Sequence, residues 1–370
     1  MKKVLILHNY TEDSFAAMSY HLANDLSAKG HDVLFLSHRP YHTVPKQINE
    51  RLKVQCWSTY KRPTYRPSDL WLVVRLLLTF RPDIVVAHFS GSNLVTVLSK
   101  LLSFGRTRTY VYYHTLSSQV ATDLTARGNP VIKRLLFRLL TLRKGIFYRL
   151  FCDHVLPNSH LAYTDYVNYY GLNNGIEHIT PLKDRYSGSK IDHTGPLRVG
   201  YLGRLDQSKG MDILLEAVRE LKQAYGNSIA FEFAGRGHFE QELKQLDAEG
   251  LVSFIGFLDY DKVDAFLERN DVFLIPSYSD NLVTVGIEVM MKERCLIISR
   301  ATGLSYYLKD GVDCLQIEPT RAAITERLQY LMEHREEVQR IADGGRQTFL
   351  DRFSIPSYLE FMNRILPLGN

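Results

Sequence analysis

The feature that most constrains this chain is a rhythm in its hydrophobic residues. Short apolar runs at 4–7, 33–37, 84–87 and 109–113 alternate with helix-length stretches such as 14–29 and 69–80. Runs of that kind, without polar alternation, are buried on both faces, and their alternation with helices is the mark of a parallel sheet wrapped by helices. The rhythm then starts again, at 197–202, 229–234, 252–255, 272–275 and 296–299. Between the two series, residues 185–195 read RYSGSKIDHTG, polar and without a core pattern, so a linker is expected there. The expected architecture is two facing α/β domains with doubly wound parallel sheets, 1–188 and 197–350. A long helix over 322–349 precedes a last amphipathic stretch, 355–366, within a terminal segment 351–370. A chain of 370 residues has ample length for two cores.

Charge divides along the same line. Residues 1–190 carry 25 Lys and Arg against 12 Asp and Glu, and residues 191–370 carry 20 against 28, so the halves stand at +13 and −8. A basic front half suggests an anionic partner such as a membrane surface, nucleic acid or phosphorylated lipid. Four scattered cysteines, Cys56, Cys152, Cys295 and Cys314, form no C-x-x-C pair, which argues against a zinc site or a disulfide framework and fits a reducing cytoplasm. No apolar run approaches the ~18 residues of a membrane span, and the opening apolar run reaches His8 too early for a secretory signal. An unexported protein is expected.

Two segments carry chemistry. Residues 199–215, VGYLGRLDQSKGMDILL, read as a strand, then Gly203, Arg204, Asp206, Lys209 and Gly210, then an amphipathic helix. Glycine at a strand end admits a ligand to the backbone, and two cations before a helix N-terminus suit a diphosphate, although a surface turn with solvated cations has the same appearance. Residues 275–291, IPSYSDNLVTVGIEVMM, end a strand at Pro276-Ser277, place Asp280 in the following loop and bring Glu288 into a helix. Open parallel sheets bind ligands beyond the carboxyl ends of their strands, where free helix N–H groups favour an anion. Gly286 inside that helix suggests close approach by backbone or ligand, with packing as the alternative.

At these residues the sequence resembles the nucleotide-sugar-dependent retaining glycosyltransferases of the GT-B fold, family four. The family pattern G-R-x(3–4)-K-G-x-D-x-L matches at Gly203, Arg204, Lys209, Gly210, Asp212 and Leu214. P-S-x-x-E-x(7)-E matches at Pro276, Ser277 and Glu288. The resemblance implies that Arg204 and Lys209 bind the donor diphosphate, that Glu288 holds the ribose, and that amides near Val283 and Thr284 meet phosphate and sugar. It also implies that the final helix crosses back toward the first domain. This chain departs from the pattern at Asp280, which replaces the first Glu, at Thr302-Gly303-Leu304-Ser305-Tyr306, which stands for G-G-x-x-E, and at Asp13-Ser14, which replaces a Gly-Gly.

His114 follows a predicted strand where the family often carries a histidine near the transferred sugar, and an imidazole there can donate to a hydroxyl or stabilise charge. His88 ends another strand and is read as structural. Asp259-Tyr260-Asp261 spells a metal-binding D-x-D but precedes a helical stretch at 262–269 and reads as a cap, so no metal is expected. Gly235-Arg236-Gly237 lacks the third glycine of a dinucleotide fingerprint; the pair is expected to let backbone approach the nucleotide. Residues 129–150 place Lys133, Arg134, Arg138, Lys144 and Arg149 on one side of a helix, opposite Leu135, Leu139, Ile146 and Leu150. Such a helix can lie on anionic lipid or hold a lipid acceptor, and equally can be a domain helix with a solvated basic face.

The resulting expectation is an enzyme that moves a hexose-type unit from a nucleotide diphosphate sugar to a hydroxyl of a lipid-linked or surface-glycan precursor. It would act with retention and without metal or other cofactor, in the cytoplasm or peripherally at the inner membrane face, with no nucleic-acid partner. His114 and Asp280 are the candidate catalytic residues, and Gly203, Arg204, Lys209, Gly235, Val283, Thr284 and Glu288 the candidate donor-binding ones. The alternatives are a non-catalytic nucleotide-sugar-binding subunit and a nucleotide-sugar epimerase on the same fold.

Overall fold

The computed structural model describes residues 1–11, 17–37, 50–56, 67–88, 93–114, 116–118, 130–192 and 194–369, of which 67 and 130–136 by backbone alone. The chain forms two compact units, Met1–Lys183 together with Ile355–Asn370, and Asp184–Ser354.

The first unit is built on strands β1 (Lys3–His8), β2 (Asp32–Ser37), β3 (Leu52–Cys56), β4 (Ile84–Ala87), β5 (Arg108–Tyr113) and β6 (His154–Pro157), all parallel, in the order β3-β2-β1-β4-β5-β6. Its helices are α1 (Ala17–Ala28), α2 (Pro67–Phe80), α3 (Asn93–Leu102), α4 (Pro130–Phe151) and α5 (His160–Tyr170). Successive residues of a strand point to opposite faces, so Val4, Ile6, Val33, Phe35, Ile84 and Val86 enter one core while Leu5, Leu7, Leu34, Leu36, Val85 and Ala87 enter the other. The first core is closed by Met18, Leu22 and Leu26 of α1, the second by side chains of α2 to α5 such as Val73, Val95, Phe147 and Tyr166.

The second unit repeats the plan. Strands β7 (Leu197–Leu202), β8 (Ile229–Ala234), β9 (Ser253–Gly256), β10 (Val272–Ile275), β11 (Cys295–Ser299) and β12 (Leu315–Ile317) lie in the order β12-β11-β10-β7-β8-β9, which is the first sheet's order read from the other edge. Its helices are α6 (Met211–Tyr225), α7 (Glu240–Ala248), α8 (Tyr260–Arg269), α9 (Thr284–Met291), α10 (Arg321–Glu333) and α11 (Arg335–Thr348). In each sheet the order reverses between the first and fourth strands, β1 and β4 or β7 and β10, and that crevice is where such sheets take ligands.

Three differences from the sequence reading have physical causes. Strands β3, β6 and β12 were not anticipated; they are edge strands, the last two only four and three residues long, and β3 is half-exposed, so none shows a long apolar run. The single helix expected over 322–349 is two, because His334 leaves helical geometry at φ −126° and ψ 68°. The polar segment read as a linker belongs to the second unit: Arg185 forks onto Asp264, Lys190 pairs with Glu293, and Ile191 joins the core.

The last helix, α12 (Ile355–Ile365), packs Ile355, Tyr358 and Met362 into the first core beside α1. Side chains of this size contribute roughly 1.5–3 kcal/mol each on full burial. Polar ties fix its register: Tyr358 Oη meets Tyr112 Oη at 2.6 Å, Tyr110 Oη donates to the Ile365 carbonyl at 2.9 Å, and Asn363 donates to Asp25 at 2.9 Å.

Candidate active site

In the second unit the two motif loops leave the carboxyl ends of β7 and β10 and are locked together by backbone. Tyr278 N donates to the Ser208 carbonyl at 3.0 Å. Gly210 is held in the left-handed region at φ +71°, and a Cβ there would lie 2.2 Å from the Pro276 carbonyl oxygen, so both conformation and space demand glycine. The loops enclose a cavity of about 260 Å³ lined by Gly203, Arg204, Lys209, Ser277, Asp280, Val283 and Thr284 among others. Lys209 Nζ pairs with Asp280 Oδ2 across it. Arg204 reaches outward, its side chain 70% exposed and paired with Asp206 at 2.8 Å, while its carbonyl accepts from the Tyr201 hydroxyl at 2.7 Å.

The Asp280 loop is pinned from a third side, since Gly303 N donates to the Asp280 carbonyl at 2.9 Å and Thr302 bridges to Asp280. Tyr306, at the position where the family pattern has an acid, is 62% exposed. Helix α9 begins at the cavity wall, and its capping residue Val283 has no side-chain oxygen to spend on the first-turn amides. Those amides and the helix dipole favour an anion in the cavity.

Glu288 and Gly235 do not line this cavity. Glu288 sits one turn into α9, its carboxyl pushed up by burial against the opposing pull of Arg185, whose Nη2 lies 3.5 Å away. Arg185 is itself held by both oxygens of Asp264 and by the Tyr260 hydroxyl at 2.7 Å. Sequence reading missed Arg185 because it stands in the polar stretch taken for a linker. Both glycines of the Gly235-Arg236-Gly237 turn have a packing reason: added Cβ atoms would fall 1.8 Å from the Gly203 carbonyl oxygen and 2.2 Å from that of Leu205. Gly286 likewise makes room for Leu304, whose Cδ2 would stand 2.6 Å from a Cβ.

Asp259 takes the N-cap position of α8, which begins two residues earlier than expected, but its side chain makes no capping bond; it pairs instead with Lys262 at 3.6 Å. Among the described residues no three His, Cys, Asp or Glu side chains are grouped to hold a metal.

In the first unit, His114 directly follows β5. Its imidazole stacks beside Tyr112 with centroids 5.6 Å apart, and burial lowers its pKa to about 4, so it is neutral near pH 7. The loop beyond it is clamped by buried Asp165, which accepts from the amides of Ser117 at 2.7 Å and Ser118 at 3.0 Å and from the Tyr113 hydroxyl at 2.5 Å. Asp165 was not singled out in the sequence, where it looks like any helix acid.

Helix α4 corrects the sequence reading of its faces. The side chains of Lys133, Arg134 and Leu135 lie outside the described residues. Arg138 and Arg149 are exposed as expected, but Lys144 is half-buried and its pKa is lowered by burial, so it is not on the open basic face. The helix turns its aromatic side inward through Phe147 and Tyr148, leaving Leu139, Leu142, Ile146 and Leu150 exposed at 55%, 62%, 49% and 64%, interleaved with Arg138, Arg143 and Arg149. A groove of about 600 Å³ between α3 and α4 is lined by Leu94, Val97, Leu140, Ile146, Phe147 and Arg143, among others. Among the described residues no helix is long and apolar enough to cross a membrane.

Comparison with known proteins adds the family. Residues 16–181 match the model described as Glycosyltransferase Family 4, and residues 184–348 the one described as Glycosyl transferases group 1. An alpha-D-kanosaminyltransferase of Streptomyces kanamyceticus is 25% identical over 160 residues, 42% of this chain and 41% of its own length. A putative colanic acid biosynthesis glycosyltransferase, WcaL of Escherichia coli (strain K12), is 26% identical over 283 residues, 72% of this chain and 64% of its own. This chain thus spans less than two thirds of either relative. The crystal structure of Anabaena Alr3699/HepE in complex with UDP superposes with a TM-score of 0.70 at 16% identity, covering 98% of this chain and 99% of that one, a likeness of fold.

Proposed function

Because this chain belongs to the family-four glycosyltransferases of the GT-B fold, we propose that it transfers a hexose-type unit from a nucleotide diphosphate sugar to a hydroxyl of a lipid-linked or surface-glycan precursor, with retention at the anomeric carbon. The observation that carries this reading is the cavity between the β7 and β10 loops, where Lys209, Asp280 and the start of α9 converge. The relatives' names, a kanosaminyltransferase and a colanic acid biosynthesis glycosyltransferase, and the UDP held by the Anabaena protein support a nucleotide-sugar donor and a glycan product.

In this reading the bond from the anomeric carbon to the diphosphate oxygen breaks and its electron pair leaves on the phosphate. The acceptor hydroxyl oxygen forms the new bond and passes its proton to the departing diphosphate oxygen. Lys209, Arg204 and the α9 amides hold the departing diphosphate, and they act on the rate because their attraction grows as charge moves onto it. Asp280, paired with Lys209 before the donor arrives, accepts from a sugar hydroxyl. Glu288, kept in place by Arg185, serves the ribose, and neutral His114 donates to or accepts from a hydroxyl of the transferred sugar. Activity survives chelation.

The acceptor is drawn from an anionic membrane surface. The interleaved leucines and arginines exposed on α4 are the composition of a helix that lies in a lipid interface. Co-sedimentation with vesicles of phosphatidylglycerol tests it: binding that weakens with salt is expected, and equal binding to neutral vesicles at every salt concentration overturns the charge component.

Incubation with radiolabelled nucleotide sugars and a membrane extract tests the reaction. Label transferred to an acceptor supports it, an isomerised donor identifies an epimerase, and tight binding without turnover identifies a binding subunit. The exposed Tyr306 in place of an acid is the observation that favours the last of these.

A further inference from the structure

Three neighbouring helices on one side of the first sheet turn apolar residues to solvent. α3 packs between α2 and α4, and all three serve the same core, with Val73 and Leu77 from α2, Val95 from α3, and Phe147 and Tyr148 from α4. At about 100° per residue, Trp71, Arg75 and Leu78 fall opposite the core residues of α2. Leu94, Val97 and Leu101 likewise fall away from Val95, and Leu139, Leu142 and Ile146 away from Phe147 and Tyr148. The three stripes therefore point away from the sheet in one direction. Trp71, Leu78 and Leu101 are exposed at 62%, 52% and 59%, matching the α4 leucines, and Leu94 and Val97 wall the groove shared with α4.

At one end of this face the turn after α3 presents Phe104, which at 92% is the most exposed large apolar residue among the described ones. Its backbone stands in the left-handed region at φ +51°, a conformation that costs a bulky residue energy and therefore asks for a use. Among the described residues three non-glycines adopt that region, and two of them, Arg81 and Phe104, flank one cavity of about 380 Å³ between the ends of α2 and α3, lined also by Leu78, Leu102 and Arg106. Charge on this face is one-sided. Residues 84–152 hold ten Lys and Arg against a single acid, Asp123. Among the described residues Arg75, Arg81, Arg106, Arg138, Arg143 and Arg149 make no ion pair; Arg75 lies over the Trp71 ring, 5.2 Å from its centroid.

We propose that the outward side of α2, α3 and α4 is a single docking surface for an anionic phospholipid bilayer, with Phe104 the aromatic anchor that enters the interface and Arg81 and Arg106 beside it on the lipid phosphates. Charge decides the occupant. A second copy would set arginines against arginines, which is repulsive, whereas an anionic bilayer offers a phosphate to each arginine and apolar depth to the leucines between them. The inference rests on the lipid contact given to α4 above; it adds α2, the turn after α3 and an orientation. Helices that cover a parallel sheet run nearly along its strands. With this side down the strands lie along the bilayer, and their carboxyl ends, beyond which His114 stands, open sideways over the headgroups.

The chain contains two tryptophans, so Trp57→Phe leaves Trp71 as a reporter on this face. On addition of phosphatidylglycerol vesicles its emission should shift to the blue and be quenched by lipids brominated in their acyl chains, with a smaller response to phosphatidylcholine. In a chain lacking both native tryptophans, the indole of Phe104→Trp should be quenched more strongly, because the anchor lies deeper. Phe104→Asn puts at the left-handed position a residue that tolerates it, so the thermal midpoint should hold or rise while vesicle affinity falls on the order of 10-fold to 10²-fold, the scale of burying one phenyl ring. Opposite directions in stability and binding exclude misfolding as the cause, and unchanged affinity in folded Phe104→Asn overturns the anchor. Vesicle binding with neither indole quenched leaves the α4 contact standing and overturns the three-helix face. Absence of vesicle binding at low salt overturns both. A dimer that shields Trp71 from an aqueous quencher without lipid assigns the face to a second copy and overturns the proposal.

Discussion

The two sheets share one strand order, yet the crevices at their switch points are lined by opposite chemistry. Between β7 and β10 stand charges in compensating pairs, Lys209 with Asp280 and Arg204 with Asp206, beside a helix that opens without a side-chain cap. At the carboxyl ends of β1, β4 and β5 stand stacked rings, His8, His88 and Tyr112, with neutral His114 beside them and hydroxyls in the gaps. On the function proposed above, one topology would divide a transfer reaction: the crevice of paired charge would receive a leaving group that gains charge, and the hydrogen-bonding crevice would meet hydroxyls whose charge changes little. Topology places the crevice, and the residues in its first loops decide what it is for.

The severest test of the charged crevice is Lys209→Ala. On the proposed function it removes a cation that would face the leaving diphosphate, and it takes from Asp280 its Lys209 partner, so turnover with saturating acceptor should fall about 10²–10³-fold while circular dichroism shows a folded chain. Arg204→Ala should fall less, because that side chain is 70% exposed and free to be replaced by solvent. Near-normal turnover in Lys209→Ala would dissolve the contrast between the crevices, since the neutral one would then be sufficient.

Asp280 sharpens the comparison further. Asp280→Asn should reduce sugar transfer on the order of 10²-fold, yet it releases Lys209 from its partner, so affinity for the nucleoside diphosphate alone should hold or rise. Asp280→Glu should also lose activity, because the loop is fixed to Thr302 and Gly303 and a misplacement of ~1 Å can cost 10²-fold. Isothermal titration beside initial-rate kinetics separates the two effects. Weaker diphosphate binding in Asp280→Asn would mean that the carboxylate organises the phosphate site rather than the sugar.

How far the sequence was legible follows from where each residue's signal lives. Central strands such as 4–7 and 272–275 are continuous apolar runs and announce themselves; the edge strands β3, β6 and β12 are too short or too polar to do so. Lys209, Asp280 and Arg204 stood in local motifs, and they surround one cavity. Arg185 and Asp165 act through partners 79 and 48 residues away, Asp264 and the Ser117 amide, and no local pattern records such pairs. The faces of α4 were misassigned for a related reason: helical periodicity identifies two stripes, one of leucines and one of aromatics with Lys144, but which stripe meets the core depends on the neighbouring α3 and α5.

The neutral crevice should betray itself on acidification. Burial lowers the pKa of His114 to about 4 and that of His178, whose Nε2 has no hydrogen-bond partner among the described residues, to about 3, against an ordinary 6.5. The unfolded chain therefore binds protons that the folded chain refuses, and stability rises with pH through this interval. It is fully present above about 6.5 and is lost as pH falls toward 4. Thermal unfolding followed by the fluorescence of first-unit tyrosines should show a midpoint falling over that range, and His178→Phe should flatten the fall. A midpoint independent of pH between 6.5 and 4 would mean that these rings charge without penalty in the fold.

The smallest expected effect concerns the brace behind the neutral crevice. Tyr112, which stacks on His88 and His114, is tied through its hydroxyl to Tyr358 of α12 at 2.6 Å, and both hydroxyls are buried. Tyr358→Phe leaves the Tyr112 hydroxyl, among the described residues, with only the Met362 sulfur at 3.6 Å, a weak acceptor, so stability should drop by about 1–3 kcal/mol, the cost of a buried polar group that has lost its partner. Replacing both tyrosines by phenylalanine removes the orphan along with the bond. The double variant should then be less destabilised than the sum of the singles, with a coupling of about 0.5–3 kcal/mol in a double-mutant cycle by chemical denaturation. Strict additivity would mean that the two hydroxyls do not share a bond in solution, and that α12 holds the crevice through Ile355 and Met362 alone.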